Sequence, residues 1–208
     1  SLYQLIEGLN EAGFPFLPDF VIVREREIFF PGQFGRWVPD ENWNKRCEKD
    51  HNRLFRKCKR ALAKIKDHVE ANTNARWVSV EGDAAGIVSS TEEEMDDILR
   101  IIENLTLHSD LTFERNSIYL RFSHRAYRKG SCLQEAAKRW GLECDKILAI
   151  GDNHNDLSML QPEICEACGC PANAIQEVRD YVTERGGKVA ANPGSIGVME
   201  VMKHYFDQ

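Results

Sequence analysis

The chain has 208 residues, with 27 lysines and arginines against 33 aspartates and glutamates, a net charge of −6. That length can bury a sizeable core in one or two domains, and the acidic balance gives no general attraction for nucleic acid or an anionic membrane surface. No run approaches the roughly 18 apolar residues of a membrane-spanning helix, and no signal-peptide pattern is present.

In chain order, the first predicted elements are a helix over residues 5–13 and a strand, turn and strand over 18–30, with Arg24-Glu25-Arg26 at the turn. Residues 42–72 read as a long charged helix carrying Leu54, Cys58, Leu62 and Ile65 on one stripe. Strands at 77–80 and 85–89, a helix at 92–105 and strands at 111–113 and 117–122 follow. Two strand pairs and two helices predict an α+β unit with its helices on one face of an antiparallel sheet. Lys129-Gly130 then opens an amphipathic helix with Leu133, Ala136, Ala137 and Trp140 at helical spacing, ended by Gly141. The apolar run 146–150 reads as a buried strand, bounded by charge on one side and Gly151 on the other. A strand at 164–170, a helix at 174–179, a short strand at 181–183 and a closing helix at 195–206 complete the chain, punctuated by Gly186-Gly187 and Asn192-Pro193-Gly194. Alternating strands and helices predict an α/β fold with a doubly wound parallel sheet. It is formed by residues 1–30 and 125–208, with residues 31–124 inserted as the α+β unit.

The strand 146–150 ends in Gly151-Asp152-Asn153-His154-Asn155-Asp156. Asp152 and Asp156 lie just beyond the strand's carboxyl end, the edge of an α/β sheet where ligands bind. Two carboxylates with amides between them are hard oxygen donors suited to Mg²⁺. The alternative is helix capping, for which Asp and Asn are preferred. Lys129 stands at a helix start, on the wrong side for the helix dipole, and its charge calls for a nearby anion. A phosphate shared with the metal would serve; an ordinary solvated lysine is the alternative.

Lys129, followed by helix, strand and Gly151-Asp152-x-x-Asn155-Asp156, resembles the third and fourth motifs of the haloacid dehalogenase superfamily of phosphohydrolases. More narrowly the chain is similar to the Cof-type branch, which includes sugar-phosphate and sucrose-phosphate phosphatases. The strand, turn and strand at 18–30 resembles that branch's third core strand ahead of its cap, and Arg36-Trp37-Val38-Pro39-Asp40-Glu41-Asn42-Trp43 resembles the stretch where sucrose-phosphate phosphatases enter the cap. Arg24-Glu25-Arg26 replaces the Asn-Gly or Gly-rich turn usual there, so substrate contacts normally made at that turn are in doubt. The resemblance implies a Mg²⁺-dependent phosphohydrolase acting through an aspartyl-phosphate on a small phosphorylated metabolite, with Lys129, Asp152 and Asp156 as catalytic residues. Asp152 would ligate Mg²⁺ directly and Asp156 through water. Asn155 would orient the phosphoryl oxygens or the lysine, and the cap would choose the substrate. Arg121, His124 and Arg125 are candidates for that contact, together with Tyr127 and Arg128; a solvated hinge strand is the alternative reading.

The family's Asp-x-Asp strand, which carries nucleophile and general acid, is not found in these residues. Asp83 and Asp110 fall within the insertion and cannot supply it by motif. The expectation is an N-terminal piece outside this sequence; a natural pseudo-enzyme would leave the sheet short of a strand. An inactive sugar-phosphate-binding protein and a phosphomutase are the rival functions. The seven cysteines, odd in number and irregularly spaced, predict reduced thiols in a cytoplasmic protein. Cys165, Cys168 and Cys170 read as a core strand rather than a zinc or redox site, since no fourth ligand stands at zinc-finger spacing. Oligomeric state is left at monomer or homodimer.

Overall fold

The computed structural model describes residues 2–11, 13, 17–79 and 85–207. Helix α1 (Leu2–Glu11) leads to the hairpin β1 (Val21–Val23) and β2 (Glu27–Pro31), which β3 (Trp37–Pro39) extends into an antiparallel sheet. Asp40 then starts α2 (Glu41–Asn72), its carboxylate accepting from the Trp43 N–H at 3.0 Å. Such a cap satisfies a backbone donor that the helix cannot. Trp43, Cys47, His51, Leu54, Cys58, Leu62, Ile65 and Val69 recur every three or four residues and are all buried, so the predicted stripe is the helix's inner face.

Strands β4 (Arg76–Val78) and β5 (Gly86–Val88), helix α3 (Glu92–Glu103) and strands β6 (Leu111–Asn116) and β7 (Tyr119–His124) complete the α+β unit. Its antiparallel sheet runs β4-β5-β7-β6. Alternation along β7 sends Leu120 and Phe122 into the core beneath α2 and α3, where Ile87, Met95, Ile98 and Ile102 are also buried. Each such side chain contributes about 1.5–3 kcal/mol by leaving water. The opposite face of the sheet carries Glu114, Asn116, Tyr119 and Arg121.

Beyond Arg128 come α4 (Lys129–Lys138), β8 (Leu148–Ile150), β9 (Ala167–Cys170), α5 (Gln176–Glu184), β10 (Lys188–Val189) and α6 (Gly194–Phe206). Strands β10, β9 and β8 form a parallel sheet in that order. Its core gathers Ala149, Leu160, Cys165, Cys168, Cys170, Val178 and Val182. Burial raises the thiol pKa of Cys165, Cys168 and Cys170, and among the described residues no three metal-type side chains gather. No helix among them is long and apolar enough to cross a membrane.

Three local expectations are corrected. Residues 181–183 are not a strand: they continue α5, because Val178 and Val182 at i and i+4 are both fully buried on one helical face. Trp140 lies past the end of α4 and is 46% exposed, with its ring against Phe20 and Phe30 rather than in the helix's buried stripe. Ala136 and Ala137 are buried in that stripe as expected, with Cys132 rather than Leu133 beside them. The strands predicted at 111–113 and 117–122 shift to β6 and β7, since Ser117 takes φ 51° and serves as the turn between them. Asp83 and Val80 lie outside the described residues.

Candidate active site

The loop after β8 is built around one carboxylate. The Gly151 N–H extends the β8–β9 ladder to Gly169 O at 3.2 Å, and the chain then folds back into a 3₁₀ turn, His154–Asp156. Asp156 Oδ2 accepts the N–H groups of Asp152 (2.9 Å) and Asn153 (3.1 Å), and its Oδ1 accepts Lys129 Nζ at 2.6 Å. Only glycine fits at 151, where a Cβ would stand 2.4 Å from Asp156 Cβ. The capping reading thus describes Asp156, which is buried and holds the loop.

Lys129 is delivered by the start of α4. Ser131 Oγ accepts the Arg128 N–H at 2.8 Å, and the Gly130 N–H donates to Ser158 Oγ at 3.2 Å. A Cβ at Gly130 would stand 2.0 Å from Ser158 O, so glycine lets the helix start seat directly on the loop. The anion that Lys129 needs against the helix dipole is Asp156.

The two aspartates are driven apart. Burial alone would raise the Asp156 pKa, but the Lys129 ammonium and the two amides outweigh it and hold the carboxyl below its ordinary value. Asp152 opens to solvent on one side; partial burial, and then the Asp156 charge, raise its pKa despite Lys129. Asp156 is therefore committed to its loop, whereas Asp152 presents a carboxylate short of positive charge. Asn155 is 3% exposed, and its Oδ1 has no hydrogen-bond partner among the described residues. An under-compensated carboxylate beside an orphaned amide oxygen fits Mg²⁺, which takes one or two carboxylates and completes its shell with water and phosphate oxygens.

Two residues enter here that the sequence gave no site role: Glu25, noted only as part of the Arg24-Glu25-Arg26 turn, and Glu114. Glu25 Oε1 accepts Asn155 Nδ2 at 2.7 Å across 130 positions of sequence. Glu114 on β6 lies 3.1 Å from Arg128 Nε, yet neither its Oε1 nor that Nε has a hydrogen-bond partner. The two are close but misaligned, and we regard the pair as Coulombic only. Burial pushes the Glu114 carboxyl up to about 7 in spite of Arg128, with Glu25 adding to the shift. A strand extended to residue 116 would have shown Glu114 and Asn116 on one face; at Glu25 the local signal is the unusual Arg24-Glu25-Arg26 turn, which does not give its partner.

The other sequence candidates are dispersed. Arg121 shares the Glu114 face, its register partner, and donates to Arg24 O at 3.4 Å. His124 belongs to a hinge cluster in which its N–H donates to buried His51 Nε2 at 3.0 Å, while His51 Nδ1 lies 2.8 Å from Cys47 O. That pairing makes Nδ1 the protonated nitrogen, and burial holds the His51 pKa at about 4, keeping the ring neutral. Tyr127 is buried there too, donating to Asp50 Oδ2 at 2.7 Å. Arg125 donates to Ser109 O at 2.9 Å, and Arg128 reaches Thr112 Oγ1 at 2.5 Å; both line an outer groove with His154.

Residues 6–193 match the family model for haloacid dehalogenase-like hydrolases. The chain belongs to that family. Among curated proteins, phosphoglycolate phosphatase of Thermoplasma acidophilum is 38% identical over 64 residues, which are 29% of this chain and 28% of that relative's length. Among solved structures, the sucrose-phosphatase of Synechocystis sp. PCC6803, in complex with sucrose and phosphate, superposes with TM-score 0.72 at 16% identity. That alignment covers 98% of this chain and 80% of the sucrose-phosphatase. A haloacid dehalogenase-like hydrolase of Bacillus subtilis gives TM-score 0.58 at 17% identity, covering 100% and 75%. At these identities the superpositions establish the fold: a haloacid dehalogenase-like α/β architecture, as the sequence motifs imply.

Proposed function

We propose that this haloacid dehalogenase-like chain carries the metal- and phosphate-handling site of a phosphatase acting on a small phosphorylated metabolite, a sugar phosphate, with Mg²⁺. The observation that carries the reading is the Lys129–Asp156 pair set beside an exposed Asp152 at the carboxyl edge of β8. Asp156 fixes the loop and holds Lys129 in place, and Lys129 offers its ammonium to phosphoryl oxygens, an electrostatic role. Asp152 and the Asn155 amide oxygen would hold Mg²⁺, which when bound supplies charge neutralisation for the transferring group. Transfer runs in two steps: a carboxylate attacks phosphorus and expels the alcohol, then water hydrolyses the acyl phosphate. In this reading the attacking carboxylate lies on an Asp-x-Asp strand not found among the 208 residues. Residues 31–124 act as a cap over the site and choose the alcohol.

The test is phosphate release from a panel of hexose phosphates with Mg²⁺, using the 208-residue chain and a version extended upstream. Mg²⁺-dependent release by the extended protein, abolished by Asp152→Ala, is the expected result. Wild-type rates in Asp152→Ala would sink the ligand assignment, and isomerised hexose phosphate without released phosphate would replace hydrolysis by a mutase reaction.

A further inference from the structure

The helical face of the α+β unit carries its charges unevenly. Residues 51–66 of α2 hold seven lysines and arginines and no acid, in a chain whose net charge is −6. Arg53, Lys57, Arg60 and Lys64 recur at steps of three or four, which sets them on one ridge of the helix. All are exposed, and among the described residues none of them has an ion-pair partner.

Acids gather at the other end of that face. The Asn74 N–H donates to Glu94 Oε1 at 2.6 Å, so α3 begins where α2 ends and runs back along it. Exposed Glu93 and Asp97 of α3 thereby stand near exposed Asp67 and Glu70 of α2. Arg100 answers Asp97 at 2.6 Å and Lys66 lies 3.9 Å from Glu70. Asp67 and Glu93 have no ion-pair partner among the described residues.

Between the charged ends the two helices leave a groove of about 160 Å³, lined chiefly by Ile65, Val69, Ile98, Ile101, Ile102 and Leu105. Ile101 and Leu105 are 37% and 40% exposed. They continue the Glu93 and Asp97 ridge at steps of four, so one edge of the groove passes from acidic to apolar along α3.

A strip that is basic at one end, apolar in the middle and acidic at the other is complementary to itself. A polyanion such as nucleic acid would suit only the basic end, and the acidic end and net charge would repel it. A second copy satisfies all three regions at once. We propose that this strip is the interface of a symmetric dimer of the chain. A two-fold axis crossing the strip at the groove sets groove on groove. It also sets the Arg53–Lys64 ridge of each copy over the acidic end of its partner. Positions 53–70 rise about 26 Å along α2 and two helices are roughly 20 Å across, a patch on the order of 500 Å² per copy. The total of about 1,000 Å² stands at the lower bound for a specific interface, so the dimer is weak and salt-sensitive. Pairing uses the helical face and leaves the open sheet face, with Glu114 and Arg121, uncovered.

The test is sedimentation equilibrium of the 208-residue chain over a range of concentrations and salt. A reversible monomer–dimer equilibrium is expected, weakened on the order of tenfold between about 50 and 500 mM salt as screening shortens the reach of the charged ends. Lys57→Glu with Arg60→Glu should abolish dimerisation, and so should Asp67→Lys with Glu93→Lys. Mixing the two variants should restore a heterodimer, because each then meets a partner of opposite charge at both ends. Restoration excludes misfolding as the cause of either loss. A wild-type chain that stays monomeric at low salt overturns the proposal, as does a dimer that both reversals leave intact. Loss in both variants without restoration on mixing overturns the two-fold pairing. A monomer that instead binds a labelled oligonucleotide gives the basic end to a polyanion and overturns it as well.

Discussion

Asp156→Ala removes the acceptor of three donors at once, and its cost can be worked from their surroundings. The Lys129 ammonium at 2.6 Å and the Asp152 and Asn153 amides at 2.9 and 3.1 Å all lose their partner. A hydrogen bond to a charged group is worth about 1.5–3 kcal/mol, so independent losses would reach roughly 5–9 kcal/mol. They are not independent. The Lys129 side chain is 27% exposed and can rehydrate, and the Asp152 carboxylate still attracts its charge. The net should resemble the loss of one partner from a buried pair, about 3–5 kcal/mol. For a chain of this size each kcal/mol lowers the midpoint by about 2–4 °C, so a fall on the order of 10 °C is expected. Scanning calorimetry is the assay. The sheet of β8, β9 and β10 has a core separate from that under β6 and β7, and the loss should appear in the transition of the former. Asp156→Asn keeps an oxygen for the amides but not the charge and should lose about half as much. Asp152→Ala is the contrast: its ionised form is disfavoured where it stands, so that variant should be as stable as the wild type or more so. Asp156→Ala melting within about 2 °C of wild type, or Asp152→Ala melting as low as Asp156→Ala, would refute this division of roles.

Two further expectations concern the surroundings of the loop. The Glu114 carboxyl titrates near 7 when folded against 4.5 as a free side chain, under the influence of burial, Arg128, Glu25, Lys129 and Asp156. The folded state therefore binds more protons between those values, and this group makes stability fall as pH rises from 4.5 to 7, by about 3 kcal/mol at most, and flatten above. Urea titrations at pH 5 and 7 should show that slope in the wild type and its absence in Glu114→Gln; an equal slope in both would remove Glu114 as its source. Gly130→Ala places a methyl 2.0 Å from the Ser158 carbonyl oxygen, a backbone atom that cannot swing aside. Overpacking there should cost on the order of 3 kcal/mol and lift Lys129 off Asp156, read as a lowered midpoint together with weakened phosphate binding.

Much of the site was legible locally. The 151–156 loop is written in the residue types a tight carboxylate-capped turn demands, a glycine where no Cβ fits and an acidic side chain within reach of the preceding amides. The α2 stripe and the start of α3, where Thr91 Oγ1 accepts the Glu94 N–H at 3.1 Å, likewise follow from periodicity and capping. What failed was a choice that local preference leaves open. The β-prone Tyr181-Val182-Thr183 is helical because Val178 and Val182 share one buried face, and a tertiary surface decides such a case.

By itself, then, the sequence determined the long α2 helix and most elements of the inserted unit, the Lys129 and 151–156 motifs and the family they belong to. All of these depend on side-chain chemistry within a few positions or on an ordered pair of motifs. Only the tertiary structure decided that Asp156 is buried on the loop's amides while Asp152 is exposed, and that Glu25 and Glu114 line one pocket. Glu25 stands 130 residues from Asn155, and its placement depends on how a hairpin, a helix start and a separate sheet bury their apolar faces together. No local rule records that distance.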